Sequence, residues 1–447
     1  MTKTSHVKAA LLPTLALILA AIVLSAASSA VAQPASLLRR AKKQSFVPPS
    51  TSPEEQSDAY QGRNNGTLAR QPIVPGKAFD RIIHVWLENT DYSAAASLAT
   101  FQRLQKQGQT LTSFHGVTHP SEPNYMASAF GSFFGLHDDN FSWIPKNITS
   151  VYDLLDKKGI SYACYQENMP FQGFQDYDNK QKNYVDPSAS DYTFYVRKHN
   201  PCAFSSTFAK PGTERYKRNR NMNDFAADLK ADALPQHIFV TPNMDDDGHD
   251  SGISYAAQWV DWFLSDLLKN PHFNSERTLV VLTFDENETY AAENRILTLL
   301  LGNAVPQNLR GSSSDLYMTH YGILATTQAN WGLMHLGRGD VDPILSNIVP
   351  FVAEAAGYKG NAQVPLEKRP LLNLTGVTAG PLTETQYQPF FAPTKQAQAA
   401  KGAGGAGVLL LPGLDPNATP DKGPAPKNLK LTGGSSFYRS QANVAKD

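Results

Sequence analysis

Three stretches of the chain are almost free of polar positions: "RIIHVWLE" (81–88), "HIFVTP" (237–242) and "TLVVLTFDE" (278–286). Runs this short and this continuously apolar predict strands buried on both faces, as in a parallel sheet covered by helices. Between the second and third runs the period changes. In "ISYAAQWVDWFLSDLLKN", Ile253, Ala256, Ala257, Val260, Phe263, Leu264, Leu267 and Leu268 follow the i, i+3, i+4, i+7 stripe of one helix face. Strand, loop, helix, strand is the βαβ pattern, so the expected fold is α/β, with a mostly parallel central sheet flanked by helices. The periodicity fades at both ends. Residues 33–74 are rich in Ser, Pro, Gln and Arg and carry dibasic pairs in "LLRRAKKQ", which predicts a linker or propeptide. Residues 391–447 are rich in Pro, Gly and Ala and predict a weakly ordered extension. The expected folded domain is therefore 75–390.

One further apolar stretch, "AALLPTLALILAAIVL", stands outside this domain. Lys3 and Lys8 precede it and Ala30-Val31-Ala32 follows, the layout of a secretory signal peptide over residues 1–32. A membrane anchor is disfavoured by Pro13 and by a run short of about 20 residues. No later segment is apolar enough to span a bilayer, so the expectation is a secreted protein, extracellular or in the cell wall. Sequons at Asn65, Asn140, Asn147, Asn373 and Asn417 are candidate glycan acceptors in that compartment. The two cysteines, Cys164 and Cys202, are either one disulfide or two buried free thiols. Lys plus Arg and Asp plus Glu number 40 each, a balance that excludes nucleic-acid binding by bulk charge.

Ligands in open parallel sheets bind beyond the carboxyl ends of the strands. Here the three apolar runs end in Glu88-Asn89, in the loop "NMDDDGHDSG" and in Asp285-Glu286. Three carboxylates and an amide converging on one edge are hard oxygen donors, and a divalent metal ion of unspecified identity is the simplest way to reconcile their charges. The acidic loop places Asn243, Asp245, Asp247 and Gly248 on calcium-loop spacing. It lacks the closing Glu, since Ser254 stands there, and a strand precedes it in place of a helix. His249 beside Asp250 reads instead as a histidine oriented by an acid. His199 lies among basic residues, and His320 at the expected start of a helix, where backbone N–H groups favour anions. In "THPSEPNYMASAFG" (118–131), Ser121 followed by Pro123 fits a helix N-cap equally well as a nucleophile on a helix dipole.

"HVWLENTDY", "HPSEPNYMASAFG", "YVRKHNPC", "NMDDDGHDSGISYAAQWV", "TFDENETY" and "MTHYGILATTQANWGLMHLGRGD" occur in that order. As an ordered set over about 80–360 they resemble the phosphoesterase family that includes fungal secreted acid phosphatases and, more distantly, bacterial acid phosphatase and phospholipase C enzymes. The resemblance implies an alkaline phosphatase-like fold. It implies Ser121 as nucleophile, with Glu88, Asn89, Ser121, Asp285 and Glu286 around the metal. His199, His249 and His320 become transition-state stabilisers or proton donor, and Asn124 and Asp250 are expected at the substrate. The implied activity is acid phosphatase, a phosphomonoester hydrolase acting on small phosphate monoesters through a phosphoserine. A phosphodiesterase or phospholipase C on the same site, and a catalytically dead secreted phosphate-binding protein, are the alternatives. Cys202 departs from the family pattern, where an apolar or aromatic residue is expected after Asn-Pro. The Asn287 sequon adjoins the acidic pair, which argues against a glycan there.

Overall fold

The three apolar runs form the middle of one sheet. The computed structural model describes residues 45–60, 62–136, 138–369 and 392–417, all within one compact unit, Lys43–Asp447. Its main sheet has eight strands: β1 Arg81–Leu87, β2 Gln109–Leu111, β3 Tyr162–Gln166, β4 Asn219–Asn221, β5 His237–Thr241, β6 Thr278–Phe284, β7 Thr298–Leu301 and β8 Ser313–Ser314. They lie in the order β8-β2-β7-β6-β1-β5-β3-β4. β1 runs parallel to both β5 and β6, and β3 parallel to both β4 and β5. β7 runs antiparallel to both of its neighbours. The fold is therefore mixed α/β with a mostly parallel sheet. Every residue of β1, β5 and β6 is buried, as their apolar runs require.

Helices cover the sheet. Three of them bear on the strand-end edge or on the sequence pattern: α1 Ser121–Phe130, α2 Ile253–Leu267 and α3 His320–Trp331. The stripe read for α2 is its buried face, with Ala256, Ala257, Val260, Phe263, Leu264 and Leu267 all in the core. α1 ends at Gly131, whose φ of 68° is the left-handed conformation that glycine adopts without a Cβ penalty. α3 is buried along its whole length, so no amphipathic stripe marks it in the sequence.

The stretches flanking the expected domain make specific contacts where they are described. Tyr60 is buried, and the backbone N–H groups of Asn65 and Leu68 donate to Asp224 and Asp228 at 2.8 and 2.7 Å. At the other end, Leu409 N–H donates to the His335 carbonyl at 2.8 Å. The signal segment 1–32 lies outside the described residues. Among those that are described, no helix is long and apolar enough to cross a membrane.

Cys164 and Cys202 form a disulfide, which decides between the two readings of that pair. It fastens the loop after His199 to β3, one strand away from β5.

Candidate active site at the strand ends

The site is stitched together by backbone before any side chain is considered. Leu87 pairs with Phe284 at the ends of β1 and β6. Asp285 N–H then donates to the Leu87 carbonyl at 3.1 Å, and Glu88 N–H to the Asp247 carbonyl at 3.0 Å. Three neighbouring strands thus deliver Asp285, Glu88 and Asp247 to one edge, each fully buried.

Ser121 comes to the same place from α1. The sequence fits it as N-cap as well as nucleophile, but Pro120 holds the cap position and Ser121 is the first helical residue, without a capping side-chain bond. The capping role passes to Asp139, whose Oδ1 accepts from Glu122 N–H at 2.9 Å. The Ser121 hydroxyl is left to point out of the helix, and it donates to Glu88 Oε2 at 2.9 Å. Tyr125, one turn later, donates to Glu88 Oε1 at 2.5 Å. On that same side His199 Nε2 lies 3.3 Å from Oε1, and its Nδ1 is 3.4 Å from Asp247 Oδ2.

Burial sets the charge states. It raises the pKa of Glu88, against the opposing pull of Lys198 and His249. Asp247 is pushed well up by burial and then by Glu88, and Asp285 by burial and then by Glu88 and Glu286. Glu286 rises to about 7 through burial, with His119 opposing. Burial, Lys198 and His249 hold His199 well below the usual imidazole range, so it is neutral and offers the lone pair of one ring nitrogen. Both Asp285 oxygens, Asn89 Oδ1 and Asp247 Oδ2 are buried without a hydrogen bond of ordinary geometry. Ser121 is close enough to favour the charged form of Asp285, although its own bond goes to Glu88.

Hard, negative, under-satisfied oxygens around a neutral imidazole are the donor chemistry of a divalent cation. Among the described residues, Glu88, His199 and Asp247 form the one group of three acidic, His or Cys side chains whose ligand atoms all lie within 4.8 Å of one another. The residues present fit such an ion. Protons otherwise stand in for it, which sets a pH dependence. Glu286 has a folded-state pKa near 7 against 4.5 for the free side chain. Between those values the folded state holds the proton that the unfolded state has lost, so its stability contribution is full below about 4.5 and lost as pH rises through about 7. In chelator, the melting temperature is expected to fall across that window; a flat profile there would remove the charge assignment.

The other residues expected from the sequence surround this cluster. Glu286 is held by His119 Nδ1 at 2.8 Å, Asn124 Nδ2 at 3.3 Å and the Tyr290 hydroxyl at 3.4 Å, at the edge of the cluster. Asn124 Oδ1 accepts from the N–H groups of Val117 and Thr118 at 2.9 and 3.2 Å, so the amide braces the loop that carries Ser121. His320 stacks on Trp86, donates from Nε2 to the Asp285 carbonyl at 2.7 Å and is lowered by burial to about 4. It is neutral and lies behind Asp285. His249 is the partly exposed histidine of the group: Nδ1 meets Asp250 Oδ1 at 2.8 Å, and Nε2 lies 3.4 Å from Lys198 Nζ. Tyr192 also donates to Asp250.

The sequence pattern does not single out Tyr125, Asp139, Lys198 or His119. Tyr125, Lys198 and His119 sit inside the family-like motifs, each close along the chain to Ser121 or His199. Asp139 carries no local signal. Its Oδ2 binds Lys198 Nζ at 3.0 Å. Burial alone would lower the Lys198 pKa; Asp139 and Glu88 outweigh it and keep the ammonium charged. Of the sequons, Asn140 and Asn417 are exposed. Asn65 and Asn147 are half-buried with their amides donating to Arg63 O and Gly413 O at 2.7 and 3.0 Å. Asn373 lies outside the described residues.

Residues 91–334 match the model of the phosphoesterase family. The chain is 41% identical to the phosphate-repressible acid phosphatase of Penicillium chrysogenum, over 75% of this chain and 78% of that one. It is 42% identical to an acid phosphatase of Aspergillus fumigatus, over 71% and 68%. A phosphatidylinositol-3-phosphatase of Mycobacterium tuberculosis is 25% identical over 60% and 83%. Among solved structures, an alkaline phosphatase superfamily protein from Vibrio parahaemolyticus covers 60% of this chain and 72% of its own, at 10% identity and a TM-score of 0.36.

Proposed function

The chain belongs to the phosphoesterase family, and from that membership and the strand-end site we propose a secreted, metal-dependent acid phosphatase that hydrolyses small phosphate monoesters through a phosphoserine. The observation that carries the reading is the Ser121 hydroxyl, free of any capping duty and donating to Glu88 Oε2 at 2.9 Å within a buried acidic cluster.

Glu88 would hold the cation with Asp285 near Ser121, with His199 and Asp247 against it on the Oε1 side, and with Asn89, whose Oδ1 is buried and unbonded, as a further oxygen donor. When bound, the ion supplies positive charge that favours a serine alkoxide and offsets charge on the phosphoryl oxygens. The chain supplies the rest. Ser121 Oγ attacks phosphorus and its proton goes to the nearest acceptor, Glu88 Oε2. The bond to the leaving oxygen breaks, and His249, oriented by Asp250, delivers a proton to that oxygen. The helix dipole of α1 favours both the anionic nucleophile and the phosphate it accepts. Water then attacks the phosphoserine, losing a proton to His249, while Glu88 returns its proton to Ser121. Phosphate leaves and every group is restored.

Lys198 supports monoester use. A monoester carries a second negative charge that a diester lacks, and Lys198, charged and beside His249, is placed to receive it. Wild type is expected to release phosphate from phenyl phosphate, to stop in chelator and to recover with a divalent cation. Lys198→Gln should lower turnover of phenyl phosphate by roughly ten- to a hundredfold more than that of bis(phenyl) phosphate, as loss of a charge-assisted bond requires. Equal losses on the two esters would point to a phosphodiesterase. The signal segment and the sequons support secretion.

A further inference from the structure

The catalytic centre is closed over by protein: Glu88, Ser121 and Asp285 are buried. Solvent approaches it along Asp139 and His249, whose side chains are partly exposed, and beside Lys198. Two tyrosines stand on this rim. Tyr290 stacks its ring on His119 with centroids 3.9 Å apart, and its hydroxyl donates to Glu286 at 3.4 Å. The Tyr177 hydroxyl donates to the Asp139 carbonyl at 2.7 Å, and the Asp139 carboxylate is the one that binds Lys198. Burial first, and then neighbouring carboxylates with Asp139 among them, push both phenols up, so both rings stay neutral donors at the rim.

A surface tyrosine by itself is ordinary. The distribution here is not. Among the described residues five large hydrophobic side chains stand exposed, and three of them, Ile73, Ile344 and Leu366, are aliphatic. The two aromatic ones are Tyr177 at 42% and Tyr290 at 40%, both on the rim of one site. Each is tethered at its polar end by a bond to a residue of that site. Such tethers stop the ring from folding away, so apolar surface stays presented to water at a cost that a stacked partner removes.

We propose that Tyr290, with Tyr177 linked to the same rim through Asp139, forms a leaving-group site that selects phosphate monoesters of planar aromatic or heteroaromatic alcohols. The ring of the ester stacks on the exposed tyrosine face while its phosphate enters between Lys198 and Ser121. The selection rests on the phosphatase reading and adds the substrate class to it.

The test compares kcat/KM for phenyl phosphate and for glycerol 2-phosphate in wild type, Tyr290→Ala, Tyr290→Phe and Tyr177→Ala, with melting temperatures as a check on folding. Tyr290→Ala should lose about two- to tenfold more on the aromatic ester than on the alkyl one, the range of a single aromatic pair. Tyr290→Phe keeps the ring and should keep the preference, and Tyr177→Ala should weaken it to a smaller degree. Equal losses on both esters in Tyr290→Ala, or loss of the preference in Tyr290→Phe, would overturn the proposal. A wild type that hydrolyses neither ester refutes the phosphatase reading instead, and the two failures are thereby told apart.

Discussion

Ser121→Ala is expected to lower kcat for phosphate release by on the order of 10⁴-fold or more, the scale seen when a covalent nucleophile is removed. The fold should survive. The hydroxyl does not cap α1, and the bond it loses is the single one to Glu88 Oε2. Tyr125 still donates to Oε1, so the stability cost should stay within about 1–3 kcal/mol, that of one buried acceptor left short. A melting curve and a single-turnover assay with phenyl phosphate check both halves. Normal turnover would return Ser121 to a structural role and leave the activity without a nucleophile.

Glu88→Gln should be nearly as damaging, for a different reason. Glu88 is the hub of the cluster: Ser121 and Tyr125 donate to it, His199 lies against Oε1, and its charge raises both Asp247 and Asp285. Removing its charge should weaken binding of a divalent cation at least a hundredfold, beyond the ten- to hundredfold that an outer partner of a ligand costs. Calorimetric titration of the metal-free protein reads this directly, without recourse to activity. The same loss of charge lowers the burden on Asp285 and on Glu286, so the acid-favoured melting profile in chelator should flatten relative to wild type. Unchanged cation affinity in Glu88→Gln would place the ion elsewhere.

The parts of this molecule that were legible in the sequence are those whose signals are local. Continuous apolar runs end at residue 87 in β1 and at residue 284 in β6, because buried strands tolerate nothing else. The polar residues immediately after them fall at the site because strand ends in a parallel sheet share an edge. Where a residue's task depends on contacts from far along the chain, no local signal carries it. Asp139 caps α1 and binds Lys198 across a separation of 59 residues, and nothing near it announces either duty. Ser121 and Pro123 have the composition of a cap, but a remote carboxylate has taken that role and released the hydroxyl. His320 sits at the expected helix start, and its burial and its bond to the Asp285 carbonyl arise from contacts remote in the sequence. α3, buried all round, shows no amphipathic period to read. Spacing in sequence leaves the cysteine pair open, because a disulfide depends on distance in space.

The central claim is that phosphate is transferred to Ser121 before water takes it. Wild-type protein mixed with phenyl phosphate and quenched in acid within one turnover can be digested and its peptides weighed. The account predicts one added phosphoryl group on the peptide carrying Ser121, absent from Ser121→Ala and chased away by longer incubation. A phosphoryl group on another residue, or turnover through many cycles with Ser121 never labelled, would contradict it.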